Sequence, residues 1–246
     1  MTSAAQPTLW LFDFDTTLAR LEPVVDWPAV RAEVRTILER AGAPRRIIEQ
    51  VPQRSLSMYE GYRAYLSRAR PSGGAAVLAR VSKLIEKYEL AGVDRAAPLD
   101  GAIGLLRAIA ALGLGAGIVT SNSSVTVMRW LSRYRIAAAV GFIVGRDSEL
   151  PLKPSPAMLL RALELGGVRA RDAILVGDSD ADLIAARAAR MRFIAVASDD
   201  SARDRLIGAG AAEIYSSPAA LAIHLNLAAP RPQGGITRGP KSNAGR

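Results

Sequence analysis

Apolar positions along this chain change their period, and the change divides it. The first run, within Leu9 to Leu18, is a short apolar block (Leu-Trp-Leu-Phe) that ends in Asp13 and Asp15. A block this short, bounded by turn formers, predicts a strand buried on both faces, the first strand of a parallel sheet. From about Asp26 to Arg40 the apolar residues Val30, Val34, Ile37 and Leu38 recur at helical spacing, and Gly42 and Pro44 stop that helix. Further helical segments are expected at Arg45–Val51, Met58–Ala69 and Val77–Leu90, separated by Pro52, by Pro71-Ser72-Gly73-Gly74 and by Gly92. No strand signal occurs between Leu21 and Ala97. One crossover between parallel strands needs a single helix, so a block of helices here reads as an insertion.

From Pro98 strands and helices alternate. Asp100 is expected to cap a helix to Leu112, followed by strands at Ala116–Val119, Gly141–Val144, Ala173–Val176 and Phe193–Ala197 and a weaker unit at Glu213–Tyr215. Helices fall between them at Val125–Arg133, Ala157–Leu165 and up to Arg190. The predicted fold is α/β, a doubly wound parallel sheet with an inserted α-helical cap domain. The expected boundaries are 1–18 and 98–228 for the core and 19–97 for the cap, and residues 229–246 read as a disordered basic tail.

Composition narrows the chemistry. The 246 residues are 50% apolar and contain no cysteine, which excludes disulfides, thiolate catalysis and Cys-ligated metals. The N-terminus lacks a basic segment followed by an apolar core, so a cytoplasmic location is expected. The uncharged span Ala108–Met128 is interrupted by three glycines and by Thr120–Ser124, so no membrane span is expected. A net charge of +9 raises the question of an anionic partner. The excess is nearly all arginine, the lysines being only Lys83, Lys87, Lys153 and Lys241, and no basic stripe is interleaved with aromatics. This argues against nucleic acid; the oligomeric state is left open.

Four polar clusters fall at the ends of predicted strands or in loops beside them, where open α/β sheets bind ligands. Asp13 and Asp15 repel each other unless a cation bridges them or one is protonated. Thr120, Ser121 and Asn122 offer hydroxyls and backbone amides, Lys153 a compact positive charge, and Asp178 with Asp182 oxygen ligands suited to Mg²⁺. Each alone has a plainer explanation: a helix cap for the aspartates and hydroxyls, a solvated lysine for Lys153.

Together, in this order, they resemble the haloacid dehalogenase-like superfamily. Asp13-Phe14-Asp15-Thr16-Thr17 is similar to its first motif, Thr120-Ser121-Asn122 to its second, Lys153-Pro154 to its third, and Gly177-Asp178-Ser179 with Asp182 to its fourth. The resemblance implies that Asp13 is a nucleophile forming an aspartyl phosphate and that Asp15 is the general acid and base. It implies Mg²⁺ held by Asp13, the Asp15 carbonyl and Asp178, with Asp182 supporting, and a phosphate site made of Thr120, Ser121, Asn122 and Lys153. Which of Thr120 and Ser121 supplies the second-motif hydroxyl is open by one position. Dehalogenating members lack an aspartate at the place of Asp15, so the resemblance points to phosphate chemistry. Thr16 and Arg190 stand where members often have glycine.

The insertion matches the place of a C1 cap, and the capped members that hydrolyse small phosphorylated metabolites, of the phosphoglycolate phosphatase kind, are the nearest general resemblance. Arg45, Arg46, Arg54, Tyr59, Tyr62 and Arg63 are cap residues within conceivable reach of a substrate, though surface charge and core packing explain any one of them better. Lys83 or Lys87 would matter only in a Schiff-base member, and His224 has no assigned role. The expected activity is an Mg²⁺-dependent phosphomonoesterase acting on a small phosphorylated metabolite. A mutase of the β-phosphoglucomutase kind and a non-catalytic binding protein are the alternatives.

Overall fold

The computed structural model describes residues 7–49 and 54–226. Its centre is β1 (Leu9–Phe12), whose four residues are all buried. Burial on both faces follows from its place in the sheet: β2 (Gly115–Val119) and β4 (Ala173–Gly177) pair with it in parallel, one on each side. β3 (Phe142–Val144), β5 (Arg192–Val196) and β6 (Ile214–Tyr215) complete a six-stranded parallel sheet in the order β3-β2-β1-β4-β5-β6. The chain runs outward from β1 to β3 and then returns across to β4. The strand order therefore reverses beside β1, and such reversals are where these sheets open a crevice at their carboxyl ends. Among the described residues no helix is long and apolar enough to cross a membrane.

Among the described residues the insertion that follows β1 contains four α-helices: α1 (Trp27–Arg40), α2 (Arg45–Ile48), α3 (Ser55–Ala69) and α4 (Gly74–Val93). Asp26 caps α1 by accepting the Ala29 N–H at 3.0 Å, which satisfies one of the helix's orphan donors. Val30, Val34 and Leu38 then form its buried stripe, packed in a three-helix cluster with Met58, Tyr59 and Tyr62 of α3 and Val81 and Ile85 of α4. Each such side chain contributes about 1.5–3 kcal/mol by leaving water. The chain leaves the sheet domain and returns to it through two paired connections. Arg20 donates to the Ala97 carbonyl (2.8 Å) and Leu99 to that of Leu18 (2.9 Å).

The rest of the chain alternates, with α5 (Ala102–Ala111), α6 (Ser124–Arg133), α7 (Ala157–Gly166), α8 (Asp180–Ala188), α9 (Asp200–Gly208) and α10 (Pro218–His224) between and after the strands. Two local expectations are corrected. Gly92 does not end α4; it lies inside the helix because a Cβ there would stand 2.5 Å from the Val24 carbonyl oxygen, so the residue marks a close approach of two backbones. Asp100 does not cap α5. Gly101, with φ 76°, holds that position, and the Asp100 carbonyl instead accepts the Ala219 N–H at 2.9 Å. Val51, Pro52 and the tail from residue 229 lie outside the described residues.

Candidate active site

Three neighbouring strands end together. Asp13 follows β1, Thr120 follows β2 and Asp178 follows β4, so residues far apart in the chain meet at the carboxyl edge of the sheet. A cavity of about 160 Å³ opens there, lined by Asp13, Asp15, Thr120, Ser121, Asn122, Lys153, Ser179, Ala181 and Asp182 from the core and by Trp27 and Leu56 from the inserted helices.

Lys153 organises the floor. Its side chain is only 4% exposed, and its ammonium donates to Asp13 Oδ1 (2.5 Å), to Asp182 Oδ1 and to the Val119 carbonyl (3.0 Å). Burial disfavours its charge, but Asp13 and Asp182 outweigh that and raise its pKa above the usual lysine value. Asp13 shows the opposite balance: burial, joined by the charges of Asp182 and Asp178, pushes its carboxyl up despite Lys153.

Asp182 is held on both sides. One oxygen accepts from Lys153; the other accepts from Ser179 N–H (3.1 Å) and Ser179 Oγ (2.5 Å), closing a capping box at the start of α8. Gly177 makes room for it, since a Cβ there would come within 2.7 Å of Asp182 Cγ. Asp178 instead accepts hydrogen bonds from the hydroxyls of Thr16 and Thr17. One oxygen from each of Asp13, Asp178 and Asp182 lies within 4.8 Å of the others. An all-carboxylate donor set fits a hard divalent cation such as Mg²⁺. Asp13 and Asp178 are the members best able to serve, because Asp182 is already committed to Lys153 and Ser179.

Asp15 lines the same cavity but stands outside that cluster. Its Oδ1 accepts the N–H groups of Leu21 and Glu22, each at 2.9 Å. Burial raises its pKa to about 7 against the pull of these two donors. Phe14, between the two aspartates, is fully buried and meets Trp130 edge-on with ring centroids 5.3 Å apart. The turn is thus anchored from the core side. Thr16 has φ 59°, a left-handed conformation that is costly for a β-branched residue. Its hydroxyl lies within hydrogen-bonding reach of both the Asp15 carbonyl (2.7 Å) and Asp178 and can donate to either, so it joins the first and fourth motifs.

In the second-motif loop, Thr120 is buried, and its hydroxyl donates to Asn122 Oδ1 (3.0 Å). Asn122 passes its own amide hydrogens to Glu89 of α4 at 3.0 Å, so both ends of that side chain are taken up within the protein. Ser121 is less buried than either. None of Arg45, Arg46, Arg54, Tyr59, Tyr62 and Arg63 lines the cavity. Tyr59 and Tyr62 are core residues, Arg63 pairs with Glu60 at 2.8 Å, and Lys83 pairs with Glu86 at 2.7 Å. The cap wall is made instead by Trp27 and Leu56, two apolar residues that the sequence pattern did not single out. Only the meeting of the two helix starts with the sheet edge distinguishes them.

A parallel sheet with this carboxylate–lysine floor and a helical insertion after the first strand defines a haloacid dehalogenase-like hydrolase. The chain belongs to that family, whose sequence profile matches residues 10–196. It is similar to a phosphoglycolate phosphatase of Rhodospirillum rubrum, 29% identical over 235 residues and covering 93% of this chain and 94% of that one. It is similar also to a phosphoglycolate phosphatase of Xanthomonas campestris pv. campestris, 30% identical over 190 residues, 77% of this chain and 82% of that one. The fold matches a hydrolase from Pseudomonas syringae with a TM-score of 0.59 at 24% identity, over 89% of this chain and 98% of that one. The family expected from the four motifs is therefore correct.

The crowding of like charges has a measurable consequence. Burial and the Asp182 charge raise the Asp178 pKa from 3.8 to about 6. A carboxyl with a raised folded pKa binds protons on folding, so its contribution to stability falls as pH rises from the unfolded value through the folded one. Asp178→Asn is expected to stabilise the metal-free protein by about 1–2 kcal/mol at neutral to alkaline pH, and not below about pH 4. Mg²⁺ is expected to raise the Tm of the wild type and not that of this variant. Thermal unfolding with EDTA or Mg²⁺ across this pH range checks both, and an unchanged Mg²⁺ response would remove Asp178 from the metal site.

Proposed function

We propose that this protein is an Mg²⁺-dependent phosphatase that hydrolyses a small phosphate monoester through an aspartyl-phosphate intermediate. The observation that carries the reading is the convergence of Asp13, Asp15 and Lys153 on one small cavity at the sheet edge, with an Asp178 oxygen within 4.8 Å of one from Asp13. Asp13 attacks phosphorus as the ester P–O bond breaks, and Asp15 gives its proton to the leaving alcohol oxygen. Asp15, now a carboxylate, takes a proton from water. That water's oxygen attacks the phosphorus, and the P–O bond to Asp13 breaks to release inorganic phosphate and restore the Asp13 carboxylate. Burial supports this cycle by keeping the Asp15 pKa near neutrality, where both protonation states are accessible.

Asp13, Asp178 and the Asp15 carbonyl would hold Mg²⁺, which when bound offsets the negative charge gathered around the phosphoryl group. Lys153 and Ser121, through its hydroxyl and its N–H, bind the phosphoryl oxygens, joined by the Thr120 hydroxyl once it exchanges its Asn122 partner; the Thr120 N–H is held by the Val144 carbonyl. Such preorganised charge is the main source of catalysis in phosphoryl transfer. Trp27 and Leu56 exclude water and face the leaving group, which restricts it to a small alcohol.

Phosphoglycolate is the first ester to test, because both relatives named above are phosphoglycolate phosphatases. A panel of phosphorylated metabolites and generic aryl phosphates, assayed for phosphate release with Mg²⁺ and with EDTA, is expected to show Mg²⁺-dependent turnover with small alkyl esters preferred. Isomerised sugar phosphate without release of phosphate would favour a mutase instead.

A further inference from the structure

Beneath the phosphate loop lies a charge pair that the proposed chemistry does not use. Glu89, in the last turns of α4, and Arg146, just after β3, have side chains with 0% exposure and meet at 2.8 Å. Both reach the loop that follows β2. Glu89 accepts from Asn122 Nδ2 (3.0 Å), Ser123 N–H (3.1 Å) and Thr126 Oγ1 (3.2 Å). Arg146 donates through Nη1 to the Ser121 carbonyl at 2.7 Å, and its own backbone N–H donates to the Asn122 carbonyl at 2.9 Å. On the other side Arg146 Nε donates to Ser82 Oγ of α4 at 3.2 Å. Burying two opposite charges is costly and gives little net stability, even though Arg146 holds the Glu89 pKa below its usual value against the effect of burial. The two side chains do, however, hold each residue of the segment Ser121–Ser123 by one group: the Ser121 carbonyl, the Asn122 side-chain amide and the Ser123 N–H.

We propose that Glu89 and Arg146 are positioning residues for phosphate recognition. Together they hold the Thr120–Ser123 loop in the conformation that accepts a phosphoryl group, and they tie the end of cap helix α4 to it. Without the guanidinium fork the Ser121 carbonyl loses its partner and the backbone at Ser121 loses its fixed direction. Phosphate affinity then falls even where the fold survives. The inference rests on the phosphate role proposed for this loop.

The test uses Arg146→Lys, which keeps the charge opposite Glu89 but has no planar fork to serve the Ser121 carbonyl as well, and Glu89→Gln, which keeps shape and removes charge. Measured with an aryl phosphate and Mg²⁺, Arg146→Lys is expected to raise both KM and the inhibition constant for inorganic phosphate about tenfold, with kcat within about threefold, as for loss of one hydrogen bond to a charged group. A lower Tm with KM and phosphate inhibition unchanged would show a purely structural pair and overturn the proposal. Should Arg146→Lys not fold, Glu89→Gln is judged by the same constants.

Should neither fold, amide exchange on the wild type decides. Inorganic phosphate must slow exchange in the last turn of α4 as well as in Ser121–Ser123, and protection of the loop alone overturns the tie. A wild type that inorganic phosphate neither inhibits nor protects would refute the phosphate site itself, and this proposal with it. That result is read without any variant, so it is distinct from failure of the pair alone.

Discussion

Asp13→Asn should abolish phosphate release, by a factor on the order of 10⁴ or more, while leaving the protein folded. The size of the loss follows from the role. An amide is too weak a nucleophile to form the acyl phosphate, so both half-reactions stop together. Folding should survive because Lys153 keeps its second carboxylate partner, Asp182, and its contact with the Val119 carbonyl. The substitution also removes one of three crowded like charges. Steady-state phosphate release and thermal unfolding, measured on the same preparation, check the two halves of the prediction. A well-folded variant that keeps more than about one part in a hundred of the wild-type rate would rule Asp13 out as the nucleophile.

Lys153→Met should be damaging in a different way, to stability as well as to rate. It leaves Asp13 and Asp182 buried without their shared cation, and breaking a buried ion pair from one side typically costs about 3–5 kcal/mol. Acid should repair part of that loss. With the ammonium gone, nothing offsets the burial that already raises the Asp13 pKa in the folded state, so the variant's deficit is largest above that pKa and shrinks as pH falls and Asp13 takes up a proton. Mg²⁺ should repair another part by supplying positive charge to Asp13. Turnover should fall on the order of 10³-fold, because a charge opposite the transferring phosphoryl oxygens is lost with the lysine. Lys153→Arg is the control: it keeps the charge but in a larger planar head, so it should restore more stability than activity. Urea unfolding at several pH values, alongside kcat/KM, separates these effects; equal stability of Lys153→Met and wild type at neutral pH would contradict the bonding seen here.

The order of elements was legible because period and punctuation are local properties. β1 could be placed from Leu9–Phe12 and the turn formers that bound it, since a short apolar run so bounded suits a strand buried on both faces. The helical insertion could be placed because Val30, Val34 and Leu38 repeat at helical spacing with no alternation before Pro98. What escaped had a local signal pointing elsewhere. Gly92 reads as a stop until the Val24 backbone is seen against it, and Trp27 and Leu56 carry no signal of their own until the two helix starts meet the sheet edge. Glu89 left a trace that could have been followed: Val81, Ile85 and Glu89 fall four residues apart on one buried stripe of α4, and a carboxylate there requires a partner. Nothing in the sequence says that the partner is Arg146, because an ion pair between residues so distant in the chain has no periodicity.

The sequence by itself determined the family, the strand that carries Asp13 and Asp15, and the four groups of polar residues, since each depends on residue type and near spacing. Tertiary structure alone decided how those groups share their bonds. It placed Lys153 between Asp13 and Asp182, and it committed Asp182 to Ser179 while leaving Asp178 on the Thr16 and Thr17 hydroxyls. It also turned Asn122 toward Glu89. A buried donor or acceptor must be satisfied by whichever group the fold brings within about 3 Å, and that depends on how the strands and helices pack rather than on what is written next to the residue.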